Sequence, residues 1–351
     1  MPGPDGPRSH QWRFSRFTHP ARRLRRALPR FLWVAVPLAA FGCDGTTEPV
    51  GPSAEAEPLT DAATAAASPA TSSLVTGDRL AFILWQNSSP DVYKMDPQGG
   101  SLVSLTPSAT AFDMSPVWSW DNLRIAMTRY RPYGSSTVYD IYVVNRDGSN
   151  GHWIRPTAFP FRLYDPAWSP NGARIVLTVA LSDGTYLATM NTSTGDVSLL
   201  GGGKKGHHPS YDPTGQRIIY VSSDTKSILQ VNADGTGQKT LVSSTQTFGS
   251  PAFSPDGKKI TYSRYAANTV NGYTVYSPDI FVTNLADGAT KRIVANGAQD
   301  TDPVWSPDGT RIAFASSRTG KPQIYTVSAS GGGATQITQA TSGATSPAWT
   351  H

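Results

Sequence analysis

The sequence predicts an all-β protein, a six-bladed β-propeller of four-stranded blades whose ring closes by pairing the C-terminal strand with the N-terminal blade. The phrase DPVWSPDGTRIAF from Asp302 to Phe314 comes back as SPVWSWDNLRIAM from Ser115, DPAWSPNGARIVL from Asp165, HPSYDPTGQRIIY from His208 and SPAFSPDGKKITY from Ser250. A truncated copy, SPAWTH, runs to His351. The prolines of these copies, Pro116, Pro166, Pro209, Pro251, Pro303 and Pro347, are 50, 43, 42, 52 and 44 residues apart, the period of an array of small sheet units. Each repeat also offers four strand candidates in a fixed order. In the last complete copy these are PVWS, RIAFAS, QIYTVSA and TQIT, with PDG, RTGK and SGGG turns between them.

Ahead of the repeats stands a leader. Residues 1–43 hold eight arginines, no lysine and one acid, a net of +7, so the rest of the chain has 22 basic and 24 acidic residues. The overall charge of +5 therefore belongs to the leader and gives no argument for nucleic-acid binding by the folded part. The arginines precede the apolar run FLWVAVPLAAFG and then Cys43, the layout of a bacterial export signal. Twelve residues are too few to span a bilayer, which takes roughly 20. Cys43, the single cysteine, follows a small residue at the end of that run and resembles a lipobox cysteine, which is lipidated and becomes the mature N-terminus. With one cysteine there is no internal disulfide, and the fold must be held by its core. Residues 44–76, rich in Ala, Thr, Ser, Pro and acids, read as a flexible tether, and residues 77–351 as the propeller.

Within the repeats the second strand is apolar on both faces, as in Ile312-Ala-Phe, Ile125-Ala-Met and Ile175-Val-Leu, which suits a strand sandwiched between blades. The aromatic two places after each proline, Trp118, Trp168, Tyr211, Phe253, Trp305 and Trp349, reads as blade-to-blade packing. A second strand from Gly77 to Ile83 has no Pro-x-Trp strand before it, and Ser346 to His351 has no second strand after it. The two orphans complete one blade and close the ring.

The run PxWSPDGxxIAFxSxRxGxxxIYxxxxxGG resembles the repeat of TolB-type β-propellers, also seen in the propeller domains of prolyl-oligopeptidase-like enzymes, and it covers Gly77 to His351. The resemblance implies the fold and, through TolB, a place among envelope complexes; the fold alone does not give function. TolB proper adds an N-terminal α/β domain, for which residues 44–76 are too short and polar, and the peptidases add an α/β-hydrolase domain that is not expected here.

Strand direction sorts the loops onto two faces. The residues before each proline share one face with the connections between second and third strands, and the PDG and ADG turns share the other. Two of those connections are long, TRYRPYGSSTVY from Thr128 and SRYAANTVNGYTVYSP from Ser263, and they lie three blades apart. The first face gathers Asp113, Asp165, His207, His208, Asp300 and Asp302, with Arg129, Tyr130, Tyr133, Arg264, Tyr265 and Tyr273 from the long connections and two lysines from GGGKKG. It is the expected ligand or partner face. The order of long and short repeats, with Ser115 matched by Ser250 and Asp165 by Asp302, also suggests a duplicated three-blade half.

Catalytic motifs are missing: there is no GxSxG, HExxH, Walker loop or CxxC. The sequence therefore favours a non-enzymatic, lipid-anchored cell-envelope protein, monomeric and without cofactor, that presents the propeller to an envelope protein or glycan. The alternative is a carbohydrate-active, lyase-like propeller with a metal held at the ring mouth by His207, His208, Asp165 or Asp302.

Overall fold

The computed structural model describes residues 77–351 apart from 78, 87–88, 109–110, 134–135, 155–161 and 271–272. The leader with Cys43 and the tether lie outside the described residues. Six four-stranded antiparallel sheets form the six blades. Blade 1 consists of Ala344–Trp349, Leu80–Gln86, Ser89–Met95 and Val103–Ser104 in spatial order, so the last strand of the chain is the innermost strand of the first blade. Blades 2 to 6 each begin with their own innermost strand: Phe112–Trp118, Arg162–Trp168, Gly206–Tyr211, Phe248–Phe253 and Asp300–Trp305.

The closing pair is in register at Leu80–Trp349 and is clasped beyond its end. Thr350 N donates to the Arg79 carbonyl at 3.0 Å, and Asn122 of blade 2 exchanges two 2.8 Å hydrogen bonds with the backbone of His351. The His351 ring stacks on Trp120 with centroids 4.0 Å apart.

Buried apolar residues fall into six clusters, one at each seam between neighbouring blades. The seam between blades 1 and 2 joins Ile83 and Val92 to Trp118, Ile125 and Met127. This is why the second strands carry no polar face: both of their faces meet another blade. The aromatics after the prolines are all at least nine-tenths buried. Trp118 Nε1 donates to the Ala348 carbonyl at 3.2 Å and Trp305 Nε1 to the Ala252 carbonyl at 3.3 Å, each across a seam.

The turn between first and second strands is built the same way in all five complete copies. Its polar head residue closes the turn by hydrogen bonds, as where Ser306 N donates to the Arg311 carbonyl at 2.9 Å and Ser306 Oγ to Asp308 at 2.6 Å. A left-handed residue follows, Gly309 at φ 68° in that copy and Asn122 at φ 58° in blade 2. Asn tolerates this conformation better than other non-glycine residues, so the blade 2 copy, which has no glycine there, keeps the hairpin.

The two long connections are strands rather than loops. Arg124–Tyr133 pairs with Ser136–Asn145, and Lys259–Val270 with Tyr273–Asn284. Their Thr, Tyr and Val residues continue the ladder, because such side chains favour a pleated surface. The result is two extended hairpins on opposite blades of the ring.

Candidate functional site

Each innermost strand carries one bulge. Between Thr301 and Val304 the strand advances three residues while its partner advances two, and the same shift recurs in the other five innermost strands. The cause lies in the repeat itself: proline has no N–H to give the ladder, and a bulge is where a sheet accommodates it. The residue before each proline takes the left-handed conformation, with φ of 49° at Ser115, 50° at Asp165, 51° at His208, 45° at Ser250, 53° at Asp302 and 51° at Ser346. Strain of this kind, about 1–3 kcal/mol per residue, persists only where the surroundings enforce it.

All six of these residues line one central cavity of about 390 Å³, which runs from them past the six prolines to Trp120, Pro255, Pro307 and His351 on the turn side. The cavity holds two carboxylates, Asp165 and Asp302, and no lysine or arginine among its lining residues. Asp165 accepts from Ser115 Oγ at 3.3 Å and Thr178 Oγ1 at 3.2 Å; Asp302 accepts from Ser250 Oγ at 2.8 Å and Thr301 Oγ1 at 3.3 Å. The serine-to-aspartate contact therefore recurs three blades apart.

The third position differs between the halves, His208 in one and Ser346 in the other. His207 Nδ1 and His208 Nδ1 are 2.7 Å apart, so one ring donates to the other. Burial, and then the neighbouring His208, push His207 down to about 4 against the pull of Asp165. His208 Nε2 lies 3.8 Å from Asp165 Oδ1. Ser115 and His208 thus both face the carboxylate, and the serine hydroxyl is directed at Asp165, so the nucleophile-to-base contact of a hydrolytic triad is not made.

Other expected site residues stand elsewhere. Asp113 is fully buried and gripped by Arg129, Nε to Oδ1 at 2.6 Å and Nη2 to Oδ2 at 2.7 Å, with Thr106 Oγ1 donating at 2.5 Å. Although burial works against its charge, Asp113 holds Arg129 above its usual range. Asp300 is also fully buried, beside Arg318 at 3.2 Å and Asn296 at 2.8 Å, and burial raises it despite hydrogen bonds from Ser316 and Arg318. Both aspartates sit in ion pairs away from the cavity. Arg264 lies over the Phe281 ring at 4.1 Å, and Tyr265 is half-buried at the base of its hairpin. Of the two lysines in GGGKKG, Lys205 is paired with Asp183 at 3.4 Å. Tyr130 packs edge-on between Phe112 and Tyr139, with centroids 5.4 and 5.6 Å away. Tyr133 and Tyr273 belong to the hairpin strands, but their side chains lie outside what is described.

One residue is missed by sequence reasoning. Asp91, on the third strand of blade 1, is buried with Oδ1 unpartnered among the described residues. Burial pushes it up to about 6, with Asp113 adding to the shift while a Ser108 backbone hydrogen bond and Arg129 oppose it. Its surroundings, PDVYKM, recur as YDIYVV from Tyr139 and PDIFVT from Pro278, with Asp140 and Asp279 buried at the matching third-strand position, so the repeat of that strand is the signal that could have found it.

The architecture and the proline-headed ring meet their counterpart among known families: the family model described as TolB beta propeller domain matches residues 53–236 and 269–351. The chain belongs to the TolB β-propeller domain family. The match begins inside the stretch read from sequence as tether. The Tol-Pal system protein TolB of Francisella tularensis subsp. mediasiatica (strain FSC147) is 28% identical over 211 residues, 58% of this chain and 46% of that protein. An uncharacterized peptidase of Bacillus subtilis (strain 168), YuxL, is 32% identical over 100 residues, 28% of this chain and 15% of its own. The chain thus matches less than half the length of these curated relatives. TolB from Acinetobacter baumannii superposes with a TM-score of 0.63 at 19% identity, covering 77% of this chain and 66% of that one, a likeness of fold.

Proposed function

We propose that this protein is a non-enzymatic binding scaffold of the bacterial cell envelope, exported, lipid-anchored through Cys43 and held off the membrane by residues 44–76, and that it presents the mouth of its propeller to an envelope protein or glycan. The observation that carries the reading is the ring of strained residues around the cavity. Six left-handed positions hold Ser115, Asp165, His208, Ser250, Asp302 and Ser346 on one wall, with two carboxylates that no arginine or lysine of the lining neutralises. A rigid concave surface with a few placed polar groups suits recognition. Membership of the TolB propeller family and similarity to proteins named for the Tol-Pal system support the envelope setting.

The test is retention of envelope components by the tethered protein. Asp165→Asn with Asp302→Asn should lose the retained component while the unfolding temperature stays within a few degrees of wild type. Equal retention by the double variant would remove the mouth from the account. Lipidation has its own check: radiolabelled fatty acid should enter the wild type, and a Cys43→Ser protein that labels equally would end that part.

A metal-dependent lyase is the second reading, favoured by the convergence of the His207 and His208 Nδ1 atoms. A catalytic metal needs about three protein ligands. Among the described residues no group of three His, Cys, Asp or Glu is arranged to hold one, so the ligand set is incomplete. Elemental analysis decides: a stoichiometric metal lost on His207→Ala/His208→Ala would restore the lyase.

A further inference from the structure

On the face opposite the mouth, three cations from two blades come together. Arg79 precedes the second strand of blade 1, Lys94 lies near the end of its third strand, and Arg146 follows the third strand of blade 2. Lys94 Nζ donates to the Arg146 carbonyl at 2.6 Å, and Arg146 Nη2 donates to the Gly77 carbonyl at 3.3 Å. Arg79 is paired with Asp96 at 2.6 Å. The nearby Asp147 directs Oδ1 to the backbone N–H and hydroxyl of Ser149, at 2.9 and 2.6 Å. Arg146 Nη1 is buried and has no acceptor among the described residues. A buried guanidinium N–H without an acceptor is costly and rare, and it marks where an acceptor belongs. The titration behaviour agrees. Burial and then Arg79 lower Arg146; burial and then Arg146 lower Lys94, with Asp147 opposing.

We propose that this cluster binds a phosphate-type oxyanion, with Arg146 and Lys94 as donors, and that in the envelope the oxyanion is the headgroup phosphate of an anionic lipid. A guanidinium edge and an ammonium group are the usual donors to phosphate oxygens. The rest of the chain beyond the leader is slightly acidic, 22 basic against 24 acidic residues, so the spot is no part of a generally basic surface. The lipid source rests on the anchored reading above. Gly77, whose carbonyl Arg146 holds, is where the chain leads back toward Cys43.

The test uses residues 44–351, which carry neither the arginine-rich leader nor Cys43, so that no leader charge and no covalent anchor contributes, and sedimentation with phosphatidylglycerol or phosphatidylcholine vesicles. The protein should sediment with phosphatidylglycerol only, and added salt should release it. Arg146→Gln should lower the bound fraction several-fold, Arg146→Lys less because charge stays while the fork is lost, and Lys239→Gln, on a distant outer strand, not at all. Unfolding temperatures verify that each variant is folded. If vesicles are ignored but inorganic phosphate raises the unfolding temperature of wild type and not of Arg146→Gln, the oxyanion site stands and the lipid source falls. If neither binds, or if all variants bind vesicles equally, the proposal is overturned. Partner retention through the mouth is read separately, so either reading can fail alone.

Discussion

On the mouth side of the ring Asp113 and Asp300 are fully buried and each lies against an arginine, whereas on the turn side Arg79, Lys94 and Arg146 crowd together and one Arg146 guanidinium nitrogen has no acceptor among the described residues. Between these extremes stand Asp165 and Asp302, half-buried on the cavity wall and bonded mainly to hydroxyls. The difference separates two uses of charge. Groups that hold a blade together are neutralised inside it, because an unpaired buried charge is expensive. Groups left uncompensated face the cavity or the turn-side surface, and those are the places where a ligand would complete the pairing.

Substitution within each class tests that separation. Asp113→Asn leaves Arg129 buried without its partner and should cost about 3–5 kcal/mol in chemical unfolding, while Asp302→Asn should cost under about 1 kcal/mol. Similar losses for the two would break the comparison. Trp118→Ala empties a seam and gives up a hydrogen bond to Ala348, for about 3–5 kcal/mol, against about 1 kcal/mol for the half-buried Trp120 on the turn face.

Asp91 extends the test to pH. Its carboxyl is raised from 3.8 to about 6, so the neutral form is the one the fold favours: its contribution is complete below 3.8 and is lost as pH rises through about 6. Asp91→Asn should therefore stabilise the protein at neutral pH by about 1 kcal/mol and have little effect in acid. His207 behaves in the opposite sense. Lowered from 6.5 to about 4, it contributes stability above 6.5 that is lost as pH falls through about 4, and its ring resonances in an NMR titration should move only in that acid range.

Most of the scaffold was legible from sequence because it is repeated. Six proline-aromatic units and two orphan half-blades leave few arrangements other than a ring closed by its own ends. The mouth was legible only in part. Asp165 and Asp302 stand immediately before their prolines, and Asp113 and Asp300 stand two residues earlier, so simple strand alternation puts all four on one face. The left-handed residue before each proline breaks that alternation, sending the earlier aspartates into the blade to meet Arg129 and Arg318. Single-sequence reading has no signal for such a bulge until the proline's missing N–H is weighed. The cationic cluster was invisible for another reason: its members come from different turns of two blades, and no spacing connects them.

Exposed side chains on the two faces offer the most direct measurement of where the partner sits. Phe112 and Tyr276 stand on the mouth side at 39% and 61% exposed, and Leu123 stands in a turn on the other side at 46%. If the proposed envelope reading holds, a photo-reactive phenylalanine analogue placed at each of these positions should, on illumination in the native envelope, cross-link a partner from Phe112 and Tyr276 and not from Leu123. The same partner captured from Leu123, with none from the mouth positions, would contradict the account.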